Sequence, residues 1–184
     1  MELHLGNYKG LKGFTNSLVF RLSGLLSLGI VSLGIIVSGL AQAQVSEEPQ
    51  RDVSKYNLFV PGENLNGYDP VAYFPEGGEQ PQLGQEAFRL DYMGVTYFFA
   101  SQQNLELFLL QPAKYEPTYG QWCAWAMANG SYVKINPLIF TVNGNRLHFF
   151  VSRRAKFNFD SNITESESSA DNNWKQYSGE EPRL

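Results

Sequence analysis

The apolar and polar residues of the chain follow two patterns typical of β-hairpins. Residues 87–92 alternate between apolar and polar side chains, and a Met-Gly turn joins them to the β-prone stretch 95–100. Residues 138–142 and 146–151 flank an Asn-Gly pair, which is the preferred sequence for a tight type I′ hairpin turn. The sequence therefore predicts two antiparallel hairpins.

Helical signals follow each hairpin. Ser101 is placed to cap a helix whose apolar residues keep helical spacing and which Pro112 ends. Ser152 is placed to cap a second helix that runs through Phe159. Residues 121–128 consist almost wholly of Trp, Cys, Ala and Met, so we expect a short helix that is buried on all sides. The predicted fold is α+β, with two antiparallel β-hairpins packed with a short central helix and flanking helices in a single small domain.

Composition divides the 184-residue chain into four segments. Residues 1–43 have the features of a signal peptide, and residues 44–57 form a polar lead-in that we expect to be flexible. Residues 58–175 are the predicted domain, and residues 176–184 are predicted to fray. The polar, acidic stretch 160–173 is either a loose helix or a linker, and no internal repeat is apparent in the sequence.

The N-terminal segment predicts export. Lys9, Lys12 and Arg21 give a positive start, an apolar run follows at 22–40, and Ala-Gln-Ala at 41–43 resembles a cleavage site. The expected location is therefore periplasmic or extracellular. The alternative is an uncleaved membrane anchor, because about 20 apolar residues are enough to cross a bilayer.

Charge and cysteine count narrow the classes of partner. The predicted signal holds three of the 14 basic and one of the 18 acidic residues, so the remaining chain has a net charge of about −6. Such a surface repels phosphate backbones, and we expect neither nucleic acid nor, after signal cleavage, a membrane as partner. A single cysteine excludes an internal disulfide, so stability must come from the core. The sequence leaves the oligomeric state open.

Four motifs, in this order, resemble the YHS domain family, and most closely its exported, periplasmic-type branch. They are Gly-Tyr-Asp-Pro-Val-Ala-Tyr-Phe at 67–74, the strand-to-helix stretch at 97–115, Tyr-Gly-Gln-Trp-Cys-Ala at 119–124 and Ala-Asp-Asn-Asn-Trp at 170–174. The resemblance implies a small exported binding module. In the family's metal-binding form three cysteines hold the metal. Here those positions fall at Ala72, Ala100 and Asn104, whose side chains are poor ligands for a soft metal.

Two groups of residues are candidates for ligand binding. The first is aromatic and acidic and would hold a small molecule; it comprises Tyr68, Asp69, Tyr73, Tyr119 and Trp122. The second carries soft or borderline donors and would hold a metal such as copper; it comprises Cys123, Met127 and His148. Residues 123 and 127 stand at helical spacing i and i+4, on one face of the predicted central helix.

Structural explanations exist for the same residues. Free cysteines are among the most buried residue types, and aromatic rings fill the cores of small domains. A structural or protein-interaction domain without a ligand is therefore the alternative function. A thiol enzyme with Cys123 as nucleophile and His148 as base is a third reading, for which no oxyanion hole or third catalytic group is visible in the sequence.

The first testable prediction concerns export. Cleavage after Ala43 should give an exported protein that begins at Gln44. The intact mass of the protein recovered from the periplasm or medium of its host checks this. A mass that retains residues 1–43 would instead indicate a membrane anchor.

Overall fold

The computed structural model describes residues 51–58, 60 and 62–184. The predicted signal peptide and its cleavage site lie outside these residues. The predicted α+β class is confirmed, because the described residues form two separate two-stranded antiparallel sheets and five α-helices. Within this part of the chain, no helix has the length and apolar character needed to cross a membrane.

The first hairpin and its helix lie where the sequence predicts them. Strand β1 (Gln85–Tyr92) pairs with β2 (Val95–Phe99), and helix α1 (Gln102–Leu110) follows. Ser101 caps α1, because its hydroxyl accepts a hydrogen bond from the Asn104 backbone amide at 3.1 Å. A short helix α2 (Pro112–Tyr115) occupies part of the stretch that we expected to be a loop, with proline in its first turn.

The second hairpin is built in the same way. Strand β3 (Asn136–Asn143) pairs with β4 (Arg146–Phe150), and Ser152 caps helix α4 (Arg153–Asp160). Helix α5 (Ile163–Ser178) then covers the stretch that the sequence left open between a loose helix and a linker. Helix α3 (Ala124–Ala128) packs against both α4 and α5 and so connects the second hairpin unit to the rest of the core.

The second unit repeats the first at a constant distance along the chain. β3 begins 51 residues after β1 (136 against 85), and β4 begins 51 residues after β2 (146 against 95). The same distance separates the two serine caps and the first residues of α2 and α5 (112 against 163). In both hairpins the register is also interrupted directly after the first pair, and regular pairing resumes four residues later along the first strand. Residues 85–116 and 136–167 are therefore an internal structural repeat, and the expectation of none is wrong.

The central helix is shorter than predicted. Helix α3 comprises Ala124–Ala128, and Cys123 stands at its N-cap. Gly120 and Gln121 have φ angles of +55° and +68°, in the left-handed region, so a right-handed helix cannot include them. Gly120 is also required sterically, because a Cβ there would lie 2.6 Å from the Trp174 ring.

Both ends of the described chain are packed, in contrast to the predicted lead-in and frayed tail. Residues Val53–Lys55 form a 3-10 turn, and the backbone amide of Asn57 donates to the carbonyl of Gly120 at 2.9 Å. At the other end, the Arg183 guanidinium bonds to the Glu116 carboxylate. The packed domain therefore extends on both sides of the predicted limits of 58 and 175.

Aromatic side chains dominate the core. Phe108 lies between Tyr97 and Phe99 of β2, with ring centroids 4.7 and 5.2 Å apart, and its repeat counterpart Phe159 packs on Phe150 at 5.4 Å. Such ring pairs stabilise a fold beyond the area that they bury.

Three short 3-10 turns complete the fold, and they comprise Asn64–Gly67, Val71–Tyr73 and Pro75–Gly77.

The repeat leads to a matched prediction on stability. Ser101→Ala and Ser152→Ala each remove one capping hydrogen bond, so each should lower the free energy of unfolding by about 1 kcal/mol. Urea denaturation checks both variants, with Ser131→Ala as the control, since Ser131 is exposed and makes no side-chain hydrogen bond in the described structure. A variant of either cap that is as stable as the control would contradict the equivalence of the two units.

Candidate functional site

Asp69 is the most constrained of the predicted ligand-binding residues. Its side chain is fully buried, and its carboxylate accepts hydrogen bonds from the backbone amides of Val71 and Ala100, both at 2.8 Å. The Asn104 side-chain amide donates to the same carboxylate at 2.6 Å. Burial raises the pKa of Asp69, and these three donors oppose that rise by stabilising the charged form.

The positions that the resemblance aligns with metal-binding cysteines surround this carboxylate. Ala100 and Asn104 contact it directly, and the Ala72 amide donates to the Asp69 carbonyl at 3.3 Å. The alanines offer no side-chain donor atom, and the amide nitrogen of Asn104 points at Asp69. These residues do not fit a cysteine-bound soft metal. In place of a metal, the hydrogen bonds of the Asp69 carboxylate with Ala100 and Asn104 join these segments of the chain.

The predicted metal ligands Cys123, Met127 and His148 are all buried. Cys123 forms an isolated parallel bridge with Phe149, whose ring packs on Tyr73 at 5.0 Å. Successive side chains of a strand point to opposite faces, so His148 points away from the face that Phe149 shares with Cys123. Cys123 and His148 are therefore not directed toward each other, which also removes the geometric basis for a thiol–imidazole pair.

His148 belongs instead to a polar cluster between β4 and α5. Its Nε2 lies 2.7 Å from the Glu167 carboxylate, and its ring stacks on Tyr119 with centroids 5.5 Å apart. Arg146 bonds to Asp171 at 2.5 Å and to the Tyr119 hydroxyl at 3.1 Å. Two of the motifs that carry the family resemblance, 119–124 and 170–174, therefore meet at this cluster.

No group of three or more His, Cys, Asp or Glu side chains among the described residues has an arrangement suited to a metal ion.

The polar cluster around His148 changes the pKa values of its members. Burial lowers the pKa of His148 below its ordinary value, although Glu167 opposes this shift. Burial alone would raise the pKa of Glu167, but its hydrogen bonds from His148 and Asn143 outweigh that effect and lower it.

The predicted aromatic ligand-binding residues do not form one pocket. The Tyr73 hydroxyl donates to the Pro137 carbonyl at 3.1 Å, and the Trp122 indole donates to the Lys55 carbonyl at 2.7 Å. Tyr68 is half-buried and forms a bridge with Leu83. None of these side chains lines the clefts described below, and their polar atoms connect segments of the fold.

A network of charged side chains surrounds Glu116. Both terminal nitrogens of Arg51 donate to its carboxylate, at 2.6 and 2.8 Å, and Arg183 Nε donates at 3.0 Å. The Tyr97 hydroxyl donates to the same group, and burial raises the Tyr97 pKa well above its ordinary value. Glu116 is 4% exposed, so its charge is stabilised almost entirely by these partners.

A cleft of about 530 Å³ opens beside this network, within the size range of small-molecule sites. Three regions of the chain that are distant in sequence line it; they comprise Arg51, Asp52, Tyr92, Met93, Ala113, Glu116, Ser178, Gly179, Glu180, Glu181 and Arg183. Carboxylates outnumber guanidinium groups four to two in this lining. One Glu180 oxygen, Oε1, and the Arg51 Nε are buried without a hydrogen-bond partner.

Seven of the eleven residues that line this cleft lie in the segments 44–57 and 176–184, where the sequence predicts a flexible lead-in and a frayed end. Comparing the chain with itself at an offset of 51 would have given a signal. Phe-Phe-x-Ser occurs at 98–101 and again at 149–152, and Glu116 has a counterpart in Glu167. That comparison would have marked Glu116 as a position that both units share.

Residues 79–119 match the sequence model of the YHS domain family. This match spans the first structural unit, 85–116, and ends before the second. Comparison with curated proteins and with solved structures gives no significant match for the chain. The family resemblance is therefore supported over the first unit, and the exported branch remains a prediction.

The position of Cys123 generates the second prediction on stability. Its side chain is fully buried in the apolar core, so thiol labelling of the folded protein at neutral pH should be slow. Cys123→Ala should cost on the order of 1 kcal/mol of unfolding free energy for a small cavity. Cys123→Ser should cost more, because its hydroxyl must be desolvated. Fast labelling together with two variants as stable as wild type would make Cys123 a functional site.

The His148 cluster predicts a pH dependence of stability. Folding lowers the His148 pKa below the ordinary 6.5, so the unfolded chain binds more protons as the pH falls past that value. The free energy of unfolding should therefore decrease below about pH 6.5, by at most about 1.4 kcal/mol per pH unit from this residue. The lowered Glu167 pKa places its own loss at more acidic pH, below its ordinary 4.5.

The His148→Gln variant isolates this contribution. Glutamine keeps a donor for Glu167 and does not titrate, so its stability should change less than that of wild type between about pH 7.5 and 5.5. Urea denaturation at the two pH values measures both proteins. Equal changes in the two proteins would show that His148 is not the group responsible.

Proposed function

We propose that the chain is an exported ligand-binding module of the YHS type, and that its ligand is a small organic amine bound in the cleft beside Glu116. The observation that carries this proposal is the unpartnered Glu180 Oε1 in a cleft of suitable size and excess negative charge. A buried acceptor without a donor costs free energy that a bound ammonium group would recover.

The hydrogen-bond inventory of the cleft favours a donor ligand over an anion. The donors of Arg183 are directed at Glu116, Glu180, Tyr56 and the Glu181 carbonyl. Arg51 uses both terminal nitrogens on Glu116 and keeps only Nε free. A ligand with an ammonium group for Glu180 and one oxygen acceptor for Arg51 Nε satisfies both remaining atoms.

Copper fits the available donors less well. Cys123 lies beside Phe149, and His148 is on the opposite face of β4 from Phe149. The positions that the resemblance aligns with metal-binding cysteines carry alanine and asparagine. The cleft offers carboxylate oxygens, which suit hard cations and ammonium groups better than a soft metal. An amine is therefore the ligand class that the described side chains support best.

Isothermal titration calorimetry with ethanolamine tests this proposal, with glycolate as a matched anion of similar size. We expect ethanolamine to bind and glycolate not to bind. Glu180→Gln should abolish the binding, whereas Glu86→Gln, an exposed residue outside the cleft, should leave it unchanged. Asp52→Asn is a second variant in the cleft, for the case that Glu180→Gln does not fold, and it should weaken binding.

The opposite results would overturn the proposal. Absence of ethanolamine binding at concentrations up to about 10 mM, which corresponds to an interaction weaker than about 3 kcal/mol, excludes a useful amine site. Binding that persists unchanged in both cleft variants places the amine elsewhere. Equal binding of glycolate shows that the charge of the cleft does not select the ligand.

A further inference from the structure

A groove on the second structural unit exposes large apolar side chains. It shares no lining residue with the amine cleft. It has a volume of about 450 Å³ and lies between β3 and α4, lined by Leu138, Ile139, Phe140, Arg153, Lys156, Phe157 and Asp160. Phe157 is 71% exposed and Leu138 is 58% exposed. Exposed apolar residues that gather at one concave site are typical of interaction surfaces.

The internal repeat shows that the fold does not require these side chains. At the offset of 51 residues, Phe157 corresponds to Glu106 and Leu138 corresponds to Ala87, both of which are exposed. The first unit therefore forms the same hairpin and capped helix with a charged and a small residue at these positions. At these two exposed positions, large apolar side chains therefore belong to the second unit alone.

Basic residues differ between the units in the same way. Arg153 and Arg154 correspond to Gln102 and Gln103, and neither arginine takes part in an ion pair among the described residues. Lys156 lines the groove and pairs with Asp160. Cations in the first turn of a helix oppose its macrodipole, so the fold gains nothing from these arginines.

Charge and shape together define the occupant. In a chain with net negative charge, the Arg153 guanidinium in the groove lining and the adjacent exposed Arg154 are complementary to an anionic partner that carries apolar groups. A concave groove accepts an inserted side chain, whereas a flat bilayer requires apolar residues that protrude from a convex surface. β3 also has an open outer edge, since it pairs only with β4 in the described sheets.

We propose that this groove docks an acidic, extended segment of another protein. An apolar side chain of that segment inserts between Leu138 and Phe157, and its carboxylates lie against Arg153 and Arg154. The proposal is independent of the amine cleft, because the two sites share no lining residue.

Fluorescence anisotropy with two synthetic peptides tests the proposal. The probe is a fluorescein-labelled peptide that alternates glutamate with phenylalanine, and its control has lysine in place of glutamate. We expect the glutamate peptide to bind with micromolar affinity that weakens with added salt, and the lysine peptide not to bind.

The repeat supplies variants that the fold already accepts. The double variant Leu138→Ala with Phe157→Glu copies the first unit and should weaken binding at least tenfold. The double variant Arg153→Gln with Arg154→Gln should weaken binding and reduce its dependence on salt. Leu110→Glu changes an exposed apolar residue of α1 outside the groove, and it should leave binding unchanged.

Four results would overturn the proposal. The first two are absence of binding of the glutamate peptide at about 1 mM and equal binding of the two peptides. The third is a loss of binding in Leu110→Glu as large as that in the double variants. The fourth is full binding by both double variants. Vesicles of phosphatidylglycerol form the last arm of the experiment. If they bind the protein through Phe157 and Arg153 and the peptide does not, the surface contacts lipid and the proposed protein partner is wrong.

Discussion

The buried carboxylate of Glu116 is the constraint on which the rest of the domain depends. A carboxylate removed from water is stable only when donors replace its hydration, and here the donors come from three distant parts of the chain. Arg51 lies 65 residues before Glu116 and Arg183 lies 67 residues after it, while Tyr97 comes from β2. Removing any one donor would leave part of the buried charge uncompensated, so the network favours the packing of both ends of the described chain against Glu116. The walls of the amine cleft are a direct result of this arrangement.

The two structural units pack an equivalent glutamate against different side chains. Glu116 closes the first unit and its counterpart Glu167 closes the second, and in each a residue of the preceding strand bonds to the carboxylate. That residue is Tyr97 in the first unit and His148 in the second. A tyrosine stays neutral across the physiological range, whereas a histidine titrates near it, so only the second unit is expected to respond to mild acid. The two concave surfaces are divided in the same way. The cleft is lined by the first unit and both ends of the described chain, whereas the groove is lined by the second unit.

Local signals in the sequence were sufficient to predict the hairpins and the capped helices. The Asn-Gly turn and the serines before α1 and α4 act within a few residues, and the structure confirms each. The start of α3 was predicted too early because Gln121 adopts a left-handed conformation that few residues of its type take. Its side-chain oxygen accepts a hydrogen bond from the Leu65 amide at 2.5 Å, which compensates part of that strain. This partner is 56 residues away and leaves no local pattern.

Long-range polar contacts account for most of what the sequence did not reveal about the candidate site. The aromatic residues that the sequence predicts as ligand contacts mainly belong to the core or hydrogen-bond to the backbone of other segments. The charged residues that line the cleft stand mostly in polar segments, where composition alone predicts exposure. The repeat was hidden because its two copies share mainly buried phenylalanines, a capping serine and the closing glutamate. Such positions carry the fold, while the exposed positions between them have diverged.

The meeting of residues 51 and 183 at one carboxylate has a consequence for the connectivity of the chain. Two segments that bond to the same group can be joined by a short linker without moving either of them. The stretch 129–134 between the two units is exposed throughout, so it offers a place to open the chain. A circular permutant that begins with the second unit and ends with the first would then retain every contact around Glu116. The order of the two units along the chain is therefore separable from the way in which they pack.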